Sequence, residues 1–243
     1  CPARASSKRR GGPICRGRRA PGCGTHATVK PVIQPTLVVL TILVGLVVDR
    51  HGGAWGQPLV SLWVWLLFGV LMFQAAALRL RLLACLLIAT TGEVVLSLVW
   101  GLYDYRLGNL PLFVPPGHVL LYWLGLQWAG RLPGRVIALT PWLALAGVSA
   151  LAVAGIDWMG PALLAVFLVC VWRGPSPRLY ITMFLLSLAM ELWGTWLGNW
   201  TWRSALPGLG WPVANPPLAA GAFYCVLDLL SESVCRRKAC HAS

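Results

Sequence analysis

TGEVVLSLVWGLYDYRLGNLPLFVPPGH, residues 91–118, returns in altered form as MELWGTWLGNWTWRSALPGLGWPVANPP, residues 190–217. Each copy sets one glutamate, Glu93 or Glu191, inside an otherwise apolar run. Seven or eight residues on comes a glycine (Gly101, Gly198), then two aromatics one residue apart: Tyr103 and Tyr105, Trp200 and Trp202. A Gly/Leu/Pro-rich connection leads to a proline pair, Pro115–Pro116 or Pro216–Pro217, at the opening of the next apolar run. An internal repeat of this kind decides how the rest of the chain is divided.

Around these two stretches the sequence holds eight apolar runs, at 32–48, 58–78, 80–101, 113–130, 134–154, 158–172, 178–198 and 215–231. A helix needs about twenty apolar residues to cross a bilayer. The expected fold is therefore all-α: a polytopic membrane bundle of about eight transmembrane helices. Glu93 and Glu191 fall in the third and seventh runs, four apart. Runs one to four (31–132) and five to eight (133–232) then form two parallel four-helix repeats, related by an axis along the membrane normal.

Composition agrees. Only 11% of the 243 residues are charged and 58% are hydrophobic, whereas a soluble domain carries about 25% charged residues. The formal net charge of +13 raises nucleic acid as a partner, but its placement argues otherwise. Most Lys and Arg lie in the first thirty residues or at the ends of apolar runs, a pattern of membrane topology. No nucleic-acid partner is expected. Residues 1–30 have neither a methionine start nor the apolar core of a signal peptide, and read as a disordered basic tail outside the fold. Residues 233–243 read as a second basic tail. The eight cysteines show no CxxC pair and no metal-ligand spacing, so neither disulfides nor a metal site is inferred.

Orientation follows from the arginines. Arg79, Arg81, Arg131, Arg135, Arg173, Arg178 and the Arg236–Arg237–Lys238 cluster occupy alternate connections, and the opposite ones hold only Arg50, Arg106 and Arg203. The positive-inside rule then puts both termini in the cytoplasm of a multi-pass protein in a bacterial-type inner membrane. Arg81 precedes Glu93 by twelve residues and Arg178 precedes Glu191 by thirteen. At 1.5 Å per residue both carboxyls lie about 18–20 Å from the arginine-bearing ends of their helices.

Carboxyls at matching depth in hydrocarbon cost about 2.5–3.5 kcal/mol each on insertion scales, and normally face the protein interior. One can hold a proton while the other stays ionised, an arrangement suited to acid catalysis. Glu93 and Glu191 are the candidate catalytic pair. His118, just after Pro115–Pro116–Gly117, falls in the first turn of its helix and is the third candidate; a structural hydrogen-bonding role is its alternative. Tyr103, Asp104, Tyr105, Asn199, Trp200 and Trp202 are candidate substrate-lining residues. Turn capping is the alternative for Asp104 and Asn199, and an interfacial aromatic belt is the alternative for the rings. Asn215, before its proline pair, joins them and is also placed to cap the last helix. Asp228 reads as structural. No GxGxxG, P-loop, HExxH or GxSxG is present, which leaves nucleotide binding, zinc proteolysis and serine hydrolysis without support.

At Glu93, Gly101–Leu102–Tyr103–Asp104–Tyr105 and Leu112–Phe113–Val114–Pro115 the chain resembles bacterial carotenoid 1,2-hydratase-type integral membrane proteins. The likeness covers about thirty residues of the first repeat. This chain departs from it in a shorter loop after Tyr105, and its own second copy replaces the aromatic pair by Trp. The resemblance implies addition of water to a terminal isoprenoid double bond with no cofactor. The expected function is accordingly an enzyme acting on an isoprenoid or other apolar small molecule among membrane lipids. A proton-coupled transporter using the same carboxyls and a non-catalytic assembly subunit are the alternatives.

Overall fold

The computed structural model describes residues 33–241. The N-terminal tail expected over residues 1–30 lies outside the described residues. The chain forms α1 (Pro35–His51), α2 (Gly53–Gln74), a 3₁₀ turn (Ala76–Leu78), α3 (Arg79–Glu93), a π-helical turn (Val94–Val99) and strand β1 (Tyr103–Tyr105). Then come α4 (Val114–Trp128), α5 (Gly134–Val153), α6 (Gly160–Arg173), α7 (Pro177–Leu197), strand β2 (Trp200–Trp202) and α8 (Gly221–His241). Among the described residues the architecture is all-helical apart from the two three-residue strands.

Four stretches are long and apolar enough to cross a bilayer: Gly53–Gln74, Ala76–Val99, Gly134–Val153 and Pro177–Leu197. Their sequences are apolar on all sides, the mark of a helix surrounded by hydrophobic material. Their outward faces carry large apolar side chains, among them Phe73, Trp142, Leu143 and Trp196, each more than 60% exposed. Contiguous apolar surface on that scale suits hydrocarbon rather than water. Proline in the first turn starts α1, α4, α6 and α7, where its missing N–H has no carbonyl to serve.

Four helices form the centre. α3 packs on α4 and α8, and α7 packs on the same two, closing a ring. α1 and α2 pair and lean on α4, with α1 also touching α7; α6 covers α8 and α7. Small residues allow the closest approach. At Gly221 a methyl group would collide with the backbone of Phe184 and with Ser187, so α8 and α7 lie nearly in backbone contact there.

Element boundaries depart from expectation mainly in the second half. α8 begins at Gly221, not near 215, and Asn215 caps no helix. Pro115–Pro116 lie in the first turn of α4, but Pro216–Pro217 belong to the connection before α8. The segment from 233, expected as a tail, continues α8 to His241.

Candidate functional site

The site is built where the two glutamates meet the two strands. β1 and β2 pair antiparallel with Tyr103 opposite Trp202, Asp104 opposite Thr201 and Tyr105 opposite Trp200. Side chains alternate along a strand, and that period sorts the residues. Tyr103, Tyr105, Trp200 and Trp202 point inward and are buried, whereas Asp104 and Thr201 face out. The rings interleave, with Tyr103 and Trp202 centroids 4.8 Å apart and Tyr105 and Trp200 6.2 Å apart.

Each glutamate accepts two hydrogen bonds from the ring pair of its own stretch. Tyr103 and Tyr105 donate their hydroxyls to Glu93 Oε2 at 2.8 and 2.6 Å. Trp200 and Trp202 donate their indole N–H groups to Glu191 Oε2 at 2.8 and 3.1 Å. Burial, and then the charge of Glu93, push both phenols well above the usual tyrosine range, so they remain protonated donors. Both strands follow a left-handed glycine, Gly101 at φ 70° and Gly198 at φ 76°, a conformation that residues with a Cβ rarely adopt. The first stretch has one residue more than the second between glutamate and glycine. The π-helical turn Val94–Val99 is a wider turn that takes up an extra residue, and it brings the two glutamates to corresponding places beside the strand ladder.

His118 completes the Glu93 side. Its Nδ1 lies 2.9 Å from the Val114 carbonyl, which can only accept, so Nδ1 carries a hydrogen. Nε2 then faces Glu93 Oε1 at 3.3 Å. Two lone pairs cannot face one another there at rest, so one proton sits between them, on the carboxyl or on the imidazole. The imidazole stacks on Tyr224 of α8, with centroids 5.0 Å apart and planes 7° apart. The Tyr224 hydroxyl reaches Glu191. Tyr224 thus links the two carboxyl groups, although its place in an unbroken apolar run gave no sequence signal for it.

Glu93 and Glu191 border two neighbouring spaces. A chamber of about 80 Å³ lies toward α1, α2 and α7, where Thr41, Val60 and Met190 line it. A groove of about 630 Å³ lies between α3, α6 and α8. Both are also lined by Tyr103, His118, Trp202 and Tyr224. The groove runs outward past Leu87, Val95, Val166 and Leu230, all of them exposed on the apolar flank of the bundle. It therefore opens sideways, and its size lies in the range of small-molecule sites.

Three expected lining residues lie elsewhere. Asp104 faces outward because of the strand alternation; its side chain is 59% exposed and pairs with Arg203 at 3.2 Å. Asn199 is buried outside both spaces, its amide donating to Asp49 Oδ2 at 2.6 Å and to the Leu46 carbonyl at 3.0 Å. With Arg106, which reaches the Asp49 carbonyl at 2.7 Å, it ties the end of α1 to the strand ladder. Asn215 accepts the Trp202 backbone N–H at 2.9 Å, so it positions a lining residue without lining the cavity. Asp228, read as structural, is fully buried about one turn along α8 from Tyr224.

No group of three or more His, Cys, Asp or Glu side chains able to hold a metal occurs among the described residues. Comparison with protein-family models, with curated proteins and with solved structures finds no match for this chain.

Proposed function

We propose that this protein is an integral-membrane acid catalyst that adds water to, or otherwise protonates, a double bond of an isoprenoid-class apolar molecule. The observation that carries the reading is the pair of buried carboxyls, each held by two ring donors, at the inner end of an apolar groove open on the bundle's flank. An apolar substrate reaches such a site from the bilayer without crossing water. We further read all eight helices as spans in two parallel four-helix halves, with the arginine-bearing ends and both termini cytoplasmic. The matched glutamate–ring sets and the alternation of arginines support that arrangement.

The donor sets divide the roles. Phenols and imidazole can each give up and take back a proton, whereas an indole N–H only donates. Glu93, contacted by Tyr103, Tyr105 and His118, is the proton donor. Glu191, clamped by Trp200 and Trp202, stays an acceptor, stabilises the developing cation and orients water. The ring faces of Trp202 and Tyr103 add cation–π stabilisation. Loss of the shared proton from the Glu93–His118 pair forms a C–H bond at one alkene carbon. Water then adds to the cationic carbon, and its surplus proton restores the pair.

The test is mass spectrometry of apolar lipids retained by the purified wild type and by Glu93→Gln, followed by incubation of both with polyenes bearing a terminal isoprenoid double bond. The wild type should yield product heavier by one water, and Glu93→Gln should retain substrate unchanged. Full turnover by both Glu93→Gln and Glu191→Gln would dispose of the reading.

A further inference from the structure

The two spaces beside the carboxyls differ in size and in shelter. Leu87, Val95, Val166 and Leu230 bring the groove out to the exposed apolar flank. The chamber has no exposed residue in its wall: every residue lining it is buried or half-buried. At about 80 Å³ against about 630 Å³, it falls well short of the roughly 300 Å³ at which small-molecule sites begin. It has room for a few water molecules. Glu93 and Glu191 line both spaces, so the contents of the chamber meet the acid pair from the α1–α2 side.

One polar group in the chamber wall asks for water. A threonine inside a helix commonly donates its hydroxyl to the carbonyl four residues back. Thr90, Thr91, Thr140, Thr182 and Thr195 all do so, at 2.6–2.9 Å. Thr41 of α1 does not. Its Oγ1 accepts the Trp63 indole N–H at 3.1 Å, and its hydroxyl hydrogen has no acceptor among the described residues. Thr41 is buried, and a buried donor without an acceptor is costly unless ordered water supplies one. Glu191 offers the second partner. It takes three donors, Trp200, Trp202 and the Tyr224 hydroxyl, and a carboxylate has about four acceptor positions.

Resting on the acid-catalyst reading above, we propose that the chamber is a water compartment holding the water that adds to the substrate. Thr41 donates to the oxygen of the chamber water, and Glu191 accepts from that water. One lone pair of the reacting water stays open for the cationic carbon. Once the Glu93–His118 pair has protonated the alkene, this lone pair forms the C–O bond. The resulting oxonium loses one proton, which restores the pair; alkene and water have become an alcohol, with nothing oxidised or reduced. A cation denied that water returns a proton from a neighbouring carbon to the pair, and leaves as a positional isomer of the alkene. Filling of the chamber thus decides between hydration and isomerisation.

Two measurements test the assignment, the first without substrate. A structure of the full chain in lipid nanodiscs, at a resolution that shows ordered water, should hold water in the chamber within hydrogen-bond distance of Thr41 Oγ1. A dry chamber, or a lipid tail inside it, would overturn the proposal whether or not the protein turns over. The second measurement is the ratio of hydrated product to isomerised alkene from a polyene with a terminal isoprenoid double bond. Thr41→Val keeps the shape and removes the donor, and should lower the ratio about tenfold, the size of one hydrogen bond. Val60→Phe fills the chamber and should lower it further. Thr140→Val, whose hydroxyl bonds only within α5, should leave it unchanged. An unchanged ratio in either folded chamber variant, even with both products reduced together, would also overturn the proposal. Should Val60→Phe not fold, Thr41→Val decides alone. A wild type that forms neither product would sink the acid-catalyst reading instead, and the first measurement would still judge the chamber.

Discussion

Replacing Glu93 in two ways separates its geometry from its acidity. In Glu93→Gln the amide oxygen can accept from Tyr103 and Tyr105 as Oε2 does. The amide N–H₂ replaces the shared proton and donates to His118 Nε2, because Nδ1–H is committed to Val114. Every partner stays satisfied, and the expected change in stability is within about 1 kcal/mol. Glu93→Leu fills similar space but strands two hydroxyls and one imidazole nitrogen in a buried site. Polar contacts between helices in membrane bundles are worth about 0.6 kcal/mol on average and about 1.7 at most, so losing three predicts a cost of about 2–5 kcal/mol. Equilibrium unfolding in mixed micelles, followed by the fluorescence of the 14 tryptophans, measures both variants. A Gln variant as unstable as the Leu variant would show that full ionic charge holds the cluster, refuting the shared-proton geometry. A harmless Leu variant would show that the rings and histidine do not act as one unit.

The other predictions concern the second carboxyl and the scaffold. Trp200→Phe removes an N–H from Glu191 while keeping a ring, and turnover should fall by about 10² as for loss of one preorganised donor, with folding intact; unchanged turnover would deny Glu191 its role. Gly194→Ala puts a methyl group into the Trp200 ring, so both stability (about 1–3 kcal/mol) and turnover should drop, whereas Gly69→Ala on α2, with open space at its Cβ, should leave stability and turnover near wild type. Asn199→Ala should loosen α1 from the strand ladder and destabilise by about 1–3 kcal/mol, since it takes the donor from buried Asp49 Oδ2 and leaves only Arg106 on Oδ1, which a melting curve will register. Arg203→Ala breaks only the exposed pair with Asp104 and should change neither melting nor turnover beyond about 0.5 kcal/mol.

What sequence alone conveys about this site depends on contrast. Glu93 and Glu191 stand out because a carboxyl in an apolar run is costly and rare, and their ring pairs because spacing by two marks one face of an extended segment. The same period explains the misplacement of Asp104. Read as loop, residues 103–105 allow any side chain to reach the cavity; as a three-residue strand they turn Asp104 outward. Asn199 departs from the lining expectation for another reason: its partner Asp49 is 150 residues away, and nothing local distinguishes a tertiary tie from a substrate contact. Tyr224 was invisible because a tyrosine in an apolar helix matches a core residue in every respect that sequence records. The unequal spacing from glutamate to glycine was legible, but only the π-helical turn shows how both copies can aim their rings at one place.

A duplicated acid raises a difficulty that the donor sets resolve. Two identical carboxyls in one chamber would compete for the same proton, with neither committed to donating or accepting. The two stretches place exchangeable groups around Glu93, namely Tyr103, Tyr105 and His118, and indoles, which only donate, around Glu191, namely Trp200 and Trp202, with the Tyr224 hydroxyl of α8 as its one phenol. On the proposed reading, proton delivery falls to the first carboxyl, with three exchangeable partners, and charge stabilisation to the second. The division has a sharp consequence. Trp200→Tyr and Trp202→Tyr together would give Glu191 the phenol donors that Glu93 has, each still able to donate to its carboxylate. If donor chemistry sets the roles, this double variant should bind substrate as before yet lose turnover, because Glu191 can then share the proton that Glu93 must deliver. Should the double variant turn over at the wild-type rate, the indoles serve only as packing, and the roles of the two glutamates would have to be assigned on other grounds.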